Sequence, residues 1–196
     1  MNKTILNGMA LAVALTLSGG AYAAMSKDDY KSAKDRIQAD AKTNKASCKS
    51  MSGNAKDICM AEANGKEKVA KANLEAEYKP TTKAQKNARD AKADADYAVA
   101  KEKCDDMSGN AKDVCVKEAR AARTTAKADA SADRKVTEAR KDGGARTNEK
   151  VSEARKDAAE DKREAEYKVA REKCESLAGD AKDKCQADAK ARYSKR

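Results

Sequence analysis

The stretch Cys104-Asp-Asp-Met-Ser-Gly-Asn-Ala-Lys-Asp-Val-Cys115 decides how this chain folds, because close copies of it occupy 48–59 and 174–185. We call each copy a unit. In every unit a Gly lies five residues after the first Cys, an Asn or Asp follows it, and the second Cys comes five residues later. The residues at these positions are Cys48, Gly53, Asn54 and Cys59; Cys104, Gly109, Asn110 and Cys115; and Cys174, Gly179, Asp180 and Cys185.

The unit has the residues of a helical hairpin. Gly is preferred in the left-handed conformation just past a helix end, and Asn or Asp is preferred as an N-cap. We therefore expect each unit to form a helix, a tight turn and a second helix, with the Gly ending the first and the Asn or Asp capping the second. The two Cys then lie opposite one another, which predicts disulfides Cys48–Cys59, Cys104–Cys115 and Cys174–Cys185.

The helix before each turn has one packing face. Tyr97, Ala100, Cys104 and Met107 recur at helical spacing, and the same spacing returns from Tyr167 to Leu177. We interpret these Tyr and Met or Leu side chains as packing between helices, rather than as a platform on which nucleic-acid bases stack.

The composition favours long helices over a globular core. Charged residues make up 39% of the chain, Trp, Phe and His are absent, and there is one Pro, Pro80. Good helix formers dominate, while large apolar side chains are too few for a thick core. The sequence predicts an all-α fold of long antiparallel helices joined by three disulfide-stapled hairpins, with helices at 26–51, 55–78, 82–107, 111–142, 145–177 and 181–194.

The N-terminus has the pattern of an export signal. Lys3 is its only charged residue, an apolar run spans 5–17, and Ala21-Tyr22-Ala23 fits a cleavage site. We predict a signal peptide at 1–23, a periplasmic location, and hairpin units at 24–79, 80–142 and 143–196. Cleavage would remove only Lys3 among the charged residues, which changes the net charge from +10 to +9.

The pair Gly143-Gly144 lies between two near copies of one octapeptide, Lys135-Val-Thr-Glu-Ala-Arg-Lys-Asp142 and Lys150-Val-Ser-Glu-Ala-Arg-Lys-Asp157. Fifteen residues separate the copies, which is about four helical turns. We interpret the duplication as a lengthened helix with a kink at the Gly pair, and a full break is the alternative.

The residues argue against an enzyme. Without His no Ser-His-Asp or Cys-His arrangement can form, and every Cys is assigned to a disulfide. The absence of His also argues against a metal site. We expect no catalytic residue, no cofactor and no small-molecule substrate. Interspersed acidic residues argue against specific nucleic-acid binding.

The three units, with Tyr97-Ala-Val-Ala-Lys-Glu-Lys-Cys104 and Tyr167-Lys-Val-Ala-Arg-Glu-Lys-Cys174, resemble small exported Ala/Lys-rich proteins of Gram-negative bacteria, sometimes labelled TolA-like cell-envelope proteins. The resemblance implies an envelope location. Our leading hypothesis is a non-enzymatic scaffold or interaction element, whose partners are envelope proteins or the anionic envelope surface. The alternatives are a hydrophilic stress-protective protein and an electrostatic binder of anionic envelope polymers. The sequence leaves the oligomeric state open.

Overall fold

The structure is a computed structural model that describes residues 25–194. These residues form six α-helices and no β-strand. The predicted all-α fold with disulfide-stapled hairpins is confirmed, whereas the predicted signal peptide at 1–23 lies outside the described residues. The helices are α1 (Lys27–Ser47), α2 (Gly53–Tyr78), α3 (Thr82–Cys104), α4 (Gly109–Asp142), α5 (Thr147–Cys174) and α6 (Gly179–Tyr193), and a 3₁₀ helix (Cys48–Ser50) follows α1.

Local capping fixes where two of these helices begin. Ser26 precedes α1, and its side-chain oxygen accepts a hydrogen bond from the backbone N–H of Asp29 at 3.0 Å. Thr81 precedes α3 and accepts in the same way from Ala84 at 3.0 Å. Each bond satisfies an N–H that has no partner within the first helical turn. Pro80 lies between α2 and α3, where a residue without an N–H cannot continue a helix.

The helices form one layer in chain order. Across residues 25–194, each helix packs only against the helix before it and the helix after it. Since α2 also packs against α3, and α4 against α5, the three predicted units join into a continuous layer. No helix in this range is both long and apolar enough to cross a lipid bilayer.

The packing faces consist almost entirely of alanine. Within residues 25–194, Leu74 is the only buried aliphatic side chain larger than Ala, and the buried set also includes Cys48, Cys104 and Cys174. The buried alanines are Ala41, Ala63, Ala88, Ala93, Ala95, Ala119, Ala128, Ala130, Ala139, Ala154, Ala158, Ala165 and Ala189. Such small side chains let helices approach closely but bury little apolar area.

Two helices come very close together at Gly65 in the middle of α2. A Cβ placed on Gly65 would lie 2.9 Å from the Cβ of Ala95 on α3, closer than real Cβ atoms come. A Gly inside a helix costs about 1 kcal/mol relative to Ala. The contact with Ala95 explains why this position holds Gly.

The chain breaks fully at Gly143, so the expected kink is wrong and the alternative is correct. Helix α4 ends at Asp142, Gly143 adopts a left-handed conformation with φ 61°, and its N–H donates to the carbonyl of Ala139 at 3.3 Å. This is a helix stop that favours Gly, because other residues are strained at positive φ. Helices α4 and α5 therefore form a hairpin rather than one long helix.

The two octapeptide copies pair with each other across that hairpin. The Lys135 ammonium lies 2.8 Å from the Asp157 carboxylate, and the Lys150 ammonium lies 3.3 Å from the Asp142 carboxylate. The first residue of each copy thus meets the last residue of the other. Ala139 and Ala154, which hold the same position in the two copies, are both buried.

Glu67 ties α1 to α2. Its carboxylate accepts hydrogen bonds from Lys45 of α1 at 2.6 Å and from Lys71, one turn further along α2. The bond from Lys45, followed by that from Lys71, lowers the pKa of Glu67 to about 2 against a burial effect in the opposite direction. The Glu67 side chain is only 18% exposed, so solvent screens these contacts less than it screens an open surface pair.

Asp94 joins α3 to α4 by ion pairs, as Glu67 joins α1 to α2. Its carboxylate contacts Arg123, and the Lys127 ammonium lies 2.7 Å away. Burial acts to raise the pKa of Asp94, but the hydrogen bonds from Lys127 and Arg123 outweigh it and lower the pKa. Both cations lie on α4, so Asp94 links two helices whose apolar contact is small.

Reduction of the three disulfides should lower the melting temperature while leaving much of the helix content at low temperature. Each bond closes a loop of about 12 residues, which contributes roughly 3 kcal/mol in the chain-entropy model. Helix propensity and capping do not depend on the bonds. Circular dichroism with and without reductant measures both quantities. The double variant Cys104→Ser with Cys115→Ser removes one disulfide and so measures its separate contribution. Complete loss of helix on reduction would show that the helices depend on the disulfides.

Glu67→Gln should lower the melting temperature at pH 7 by about 3 °C, the shift expected for about 1 kcal/mol in a chain of this size. A carboxyl whose folded pKa is depressed stabilises the fold above its unfolded pKa. This contribution is lost as the pH falls from the ordinary value of 4.5 towards 2. The difference between the wild-type and variant melting temperatures should therefore shrink over that range. Asp96→Asn removes an ion pair that is two-thirds exposed and should change little. A difference that persists unchanged at pH 2 contradicts the assignment.

Candidate functional site: the turn edge

The three disulfide-closed turns lie on one edge of the layer, which we call the turn edge and define as residues 48–59, 104–115 and 174–185. Consecutive helices run antiparallel, so the first, third and fifth connections come to the same side. A side-chain hydrogen bond joins each of the first two turns to the helix that enters the next turn. The edge is therefore a row of three equivalent turns in fixed order.

The predicted disulfides are all present: Cys48–Cys59, Cys104–Cys115 and Cys174–Cys185. Their Cα atoms lie 5.6 Å apart in the first pair and 5.7 Å apart in the others, within the range that disulfides require. The first Cys of each pair is completely buried. No cysteine is free, so the turn edge offers no thiol for catalysis or metal binding.

The glycines have the predicted conformation but a different place in the turn. Gly53, Gly109 and Gly179 have φ of 56°, 57° and 54°, the left-handed region expected of them. They open α2, α4 and α6 rather than close the preceding helices. The reason is that each preceding α-helix ends sooner, by the first Cys of the unit, in a 3₁₀-type bond such as that from Met107 N–H to the Cys104 carbonyl at 3.0 Å.

The predicted capping role of Asn54, Asn110 and Asp180 is wrong. Ser52, Ser108 and Ala178 occupy the cap positions and make no side-chain cap bond. The three predicted residues lie inside the helix, one place beyond its first residue, and none of them accepts a hydrogen bond from a helix N–H.

Asn54 and Asn110 instead link neighbouring units. The Asn54 Nδ2 donates to the backbone carbonyl of Glu102 at 2.8 Å, and the Asn110 Nδ2 donates to that of Glu172 at 3.0 Å. Both carbonyls belong to the residue two places before the first Cys of the next unit. Asp180 has no amide to donate, and the described residues contain no further helix beside it. Asn therefore occurs where a following unit accepts its hydrogen bond.

Met51, Met107 and Leu177 are the exposed apolar residues of the turn edge. They are 45%, 48% and 42% exposed, and each lies three residues after the first Cys of its unit. The sequence placed Met107 and Leu177 on a packed helical face, which is wrong because α3 and α5 end at Cys104 and Cys174. The half-buried Tyr97 and Tyr167 do pack between helices, against Arg123 and Tyr193 respectively.

Charge differs among the three turns. Lys112 lies 2.8 Å from Asp105, and Lys182 lies 2.7 Å from Glu175 at the equivalent positions of the third turn. The hydrogen bond from Lys112 lowers the pKa of Asp105, and the one from Lys182 lowers the pKa of Glu175. In the first turn Lys49 holds the acid's position, so this turn lacks the equivalent ion pair and has two lysines to one acid. The turn edge thus combines exposed apolar side chains with fixed charges, an arrangement suited to non-covalent contact.

Asn110→Asp should destabilise the protein by about 1 kcal/mol, because it removes a partly buried donor and sets a carboxylate oxygen against the Glu172 carbonyl. Asp180→Asn is the matched control at the equivalent position. It should change stability by no more than the helix-dipole contribution of that carboxylate, about 0.5 kcal/mol. Thermal melts of both variants measure the difference. Equal melting temperatures for the two would mean that the Asn bonds do not join the units.

Residues 25–194 contain no group of three or more Cys, Asp or Glu side chains that could hold a metal ion. Comparison of the chain with protein-family models, with curated proteins and with solved structures gives no match. Any account of its function rests on the turn edge and on the exposed faces of the helical layer.

Proposed function

We propose that this chain is a non-enzymatic interaction or scaffold element of the cell envelope, which offers the turn edge to a protein partner. The observation that carries the proposal is the single layer. Because each described helix packs only against its chain neighbours, both faces and the turn edge remain available to other molecules. Repeated helical hairpins stacked in one direction are a common architecture of binding scaffolds.

The turn edge supports a protein partner over a purely electrostatic one. Met51, Met107 and Leu177 are large apolar side chains left exposed in a molecule whose buried residues are mostly Ala. Exposed apolar side chains in a regular row, bordered by charge, are typical of protein interaction sites. Basic residues elsewhere, such as Arg123 and Lys162, lie against Asp94 and Asp129, so acidic neighbours neutralise part of the positive charge of the helical layer.

The disulfides support export. Disulfides persist in oxidising compartments and are rare in the cytosol, and all six cysteines are paired here. Together with the signal-like pattern at 1–23, this supports a periplasmic location after cleavage. The same bonds argue against the stress-protective alternative, because a protein that acts through disorder needs no fixed turns.

Photo-cross-linking in intact cells tests the proposed function. A photoreactive residue at the exposed Asp106 lies beside Met107, and one at the exposed Lys141 lies at the opposite edge. We expect Asp106 to capture one defined envelope protein, with roughly tenfold less capture when Met107→Ser is added, since the apolar contact is lost. Lys141 should capture little.

Mass spectrometry identifies the captured proteins. An indiscriminate set from both positions would support the stress-protective alternative instead. Capture that is insensitive to Met107→Ser but abolished by salt in permeabilised cells would favour the electrostatic binder.

A further inference from the structure

An apolar groove runs between α2 and α3, away from the turn edge itself. It has a volume of about 790 Å³ and passes beside the close contact of Gly65 with Ala95. The aliphatic part of its wall consists of Val69, Ala70, Ala95, Val99 and Ala100, and charged or polar side chains supply most of the rest.

The corresponding space between α4 and α5 is bridged by an ion pair. Counting from the unit cysteines, Glu118 and Lys173 occupy the positions of Glu62 and Lys103. The Lys173 ammonium lies 2.7 Å from the Glu118 carboxylate and so spans the two helices. Glu62 and Lys103 line the groove but form no ion pair within the described part of the chain. One end of the groove is therefore open where its counterpart is bridged.

The other end of the groove also lacks an ion pair that its counterpart between α4 and α5 has. Lys162 of α5 pairs with Asp129 of α4, which crosses the space between these helices. At the position of Asp129, α2 has Asn73, which carries no charge. Lys92, the counterpart of Lys162, instead lies 2.7 Å from Asp96 on its own helix. No charge pair crosses the groove at this end either.

Two further differences distinguish the groove from its counterpart. Val69 is replaced by Thr125 in α4, whose hydroxyl is polar. Lys66 is replaced by Ala122, so α2 has a cation at the rim that α4 lacks. Lys66 and Lys103 are both exposed and have no acidic partner among the described residues. With Glu62 beside them, the turn-edge end of the rim carries two positive charges and one negative charge.

We propose that this groove binds a single-chain anionic amphiphile of the fatty-acid class, with its hydrocarbon chain along Val69 and Val99 and its carboxylate near Lys66 and Lys103. The volume falls within the range of small-ligand sites, about 300–1,000 Å³. From Glu62 to Asn73 the groove follows α2 for about 16 Å, at 1.5 Å per residue. This length and apolar wall suit an extended chain, and the two lysines suit its anionic head. The site is separate from the turn edge, so it goes beyond the interaction role proposed above.

Titration of the full chain with laurate below its micelle concentration tests the proposal. Isothermal calorimetry should show saturable binding, and backbone amide NMR shifts should concentrate on residues lining the groove of α2 and α3. The NMR measurement needs no variant, so it stays decisive if a variant fails to fold. Shifts spread over all six helices, or no saturation, would overturn the proposal.

Variants then separate the two parts of the site. Val99→Gln places a polar group in the apolar wall and should weaken laurate binding at least tenfold, roughly the loss of a buried aliphatic contact. Val169→Gln is the matched control, because Val169 holds the same position in α5 beside the bridged space. It should leave laurate binding unchanged. Equal weakening by the two variants would contradict a site between α2 and α3.

The head-group assignment has its own test. Lys66→Gln with Lys103→Gln should weaken laurate binding about fivefold, the loss expected for two exposed charge contacts. The same double variant should not change the affinity for uncharged lauryl alcohol. Equal weakening of both ligands would exclude a carboxylate at these lysines. Binding of anionic phospholipid vesicles with no binding of monomeric laurate would mean that the protein recognises a membrane surface instead.

Discussion

Each disulfide joins two helices at a place where alanine faces alone bury too little area to hold them side by side. A buried Ala contributes a small fraction of the stabilisation of a buried Leu or Phe, and Leu74 is the only buried aliphatic side chain larger than Ala in the described part of the chain. A covalent link restricts the unfolded chain without requiring any apolar area. This allows the sequence to stay highly charged while the hairpins remain defined, because the link between the helices does not depend on side-chain volume.

Ion pairs between helices stabilise the layer in the parts that the disulfides do not reach. Each disulfide holds only the turn-edge end of its hairpin, and the helices extend 15 to 34 residues from there. Along that length Glu67 joins α1 to α2, and Asp94 joins α3 to α4, each with two cationic partners. Asp94 has both of its cations on α4, whereas Glu67 has Lys45 on α1 and Lys71 on its own helix. Each carboxylate therefore fixes the distance and the register of the two helices that it joins. Small packing faces and ion pairs therefore hold the helices side by side together. Where the ion pairs between two helices are missing, a groove remains between them.

The local parts of this fold could be predicted from the sequence, and the parts that depend on a distant neighbour could not. The cysteine pairs and the left-handed glycines follow from a twelve-residue unit, because the turn is complete within it. Local rules favour Asn at helix starts and so predict a cap at Asn54, whereas its partner is the carbonyl of Glu102, 48 residues away. Met107 was placed on a helical face because the apolar spacing continues past Cys104, although the helix itself does not. The groove beside Gly65 depends on which charges pair across two helices, and no spacing within one helix reveals it.

The duplicated octapeptide shows how charge order could have distinguished a hairpin from a longer helix. A repeat that begins with Lys and ends with Asp is self-complementary when two copies run antiparallel, since each Lys then meets the other copy's Asp. In one continuous helix the same copies lie end to end, so Lys135 and Asp157 would be 22 residues apart and unable to meet. The left-handed Gly143 provides the reversal, and the two ion pairs with Asp157 and Asp142 form on either side of it. A helix-breaking Gly between copies with opposite charges at their ends therefore favours a hairpin, even where the spacing of the copies suits an unbroken helix.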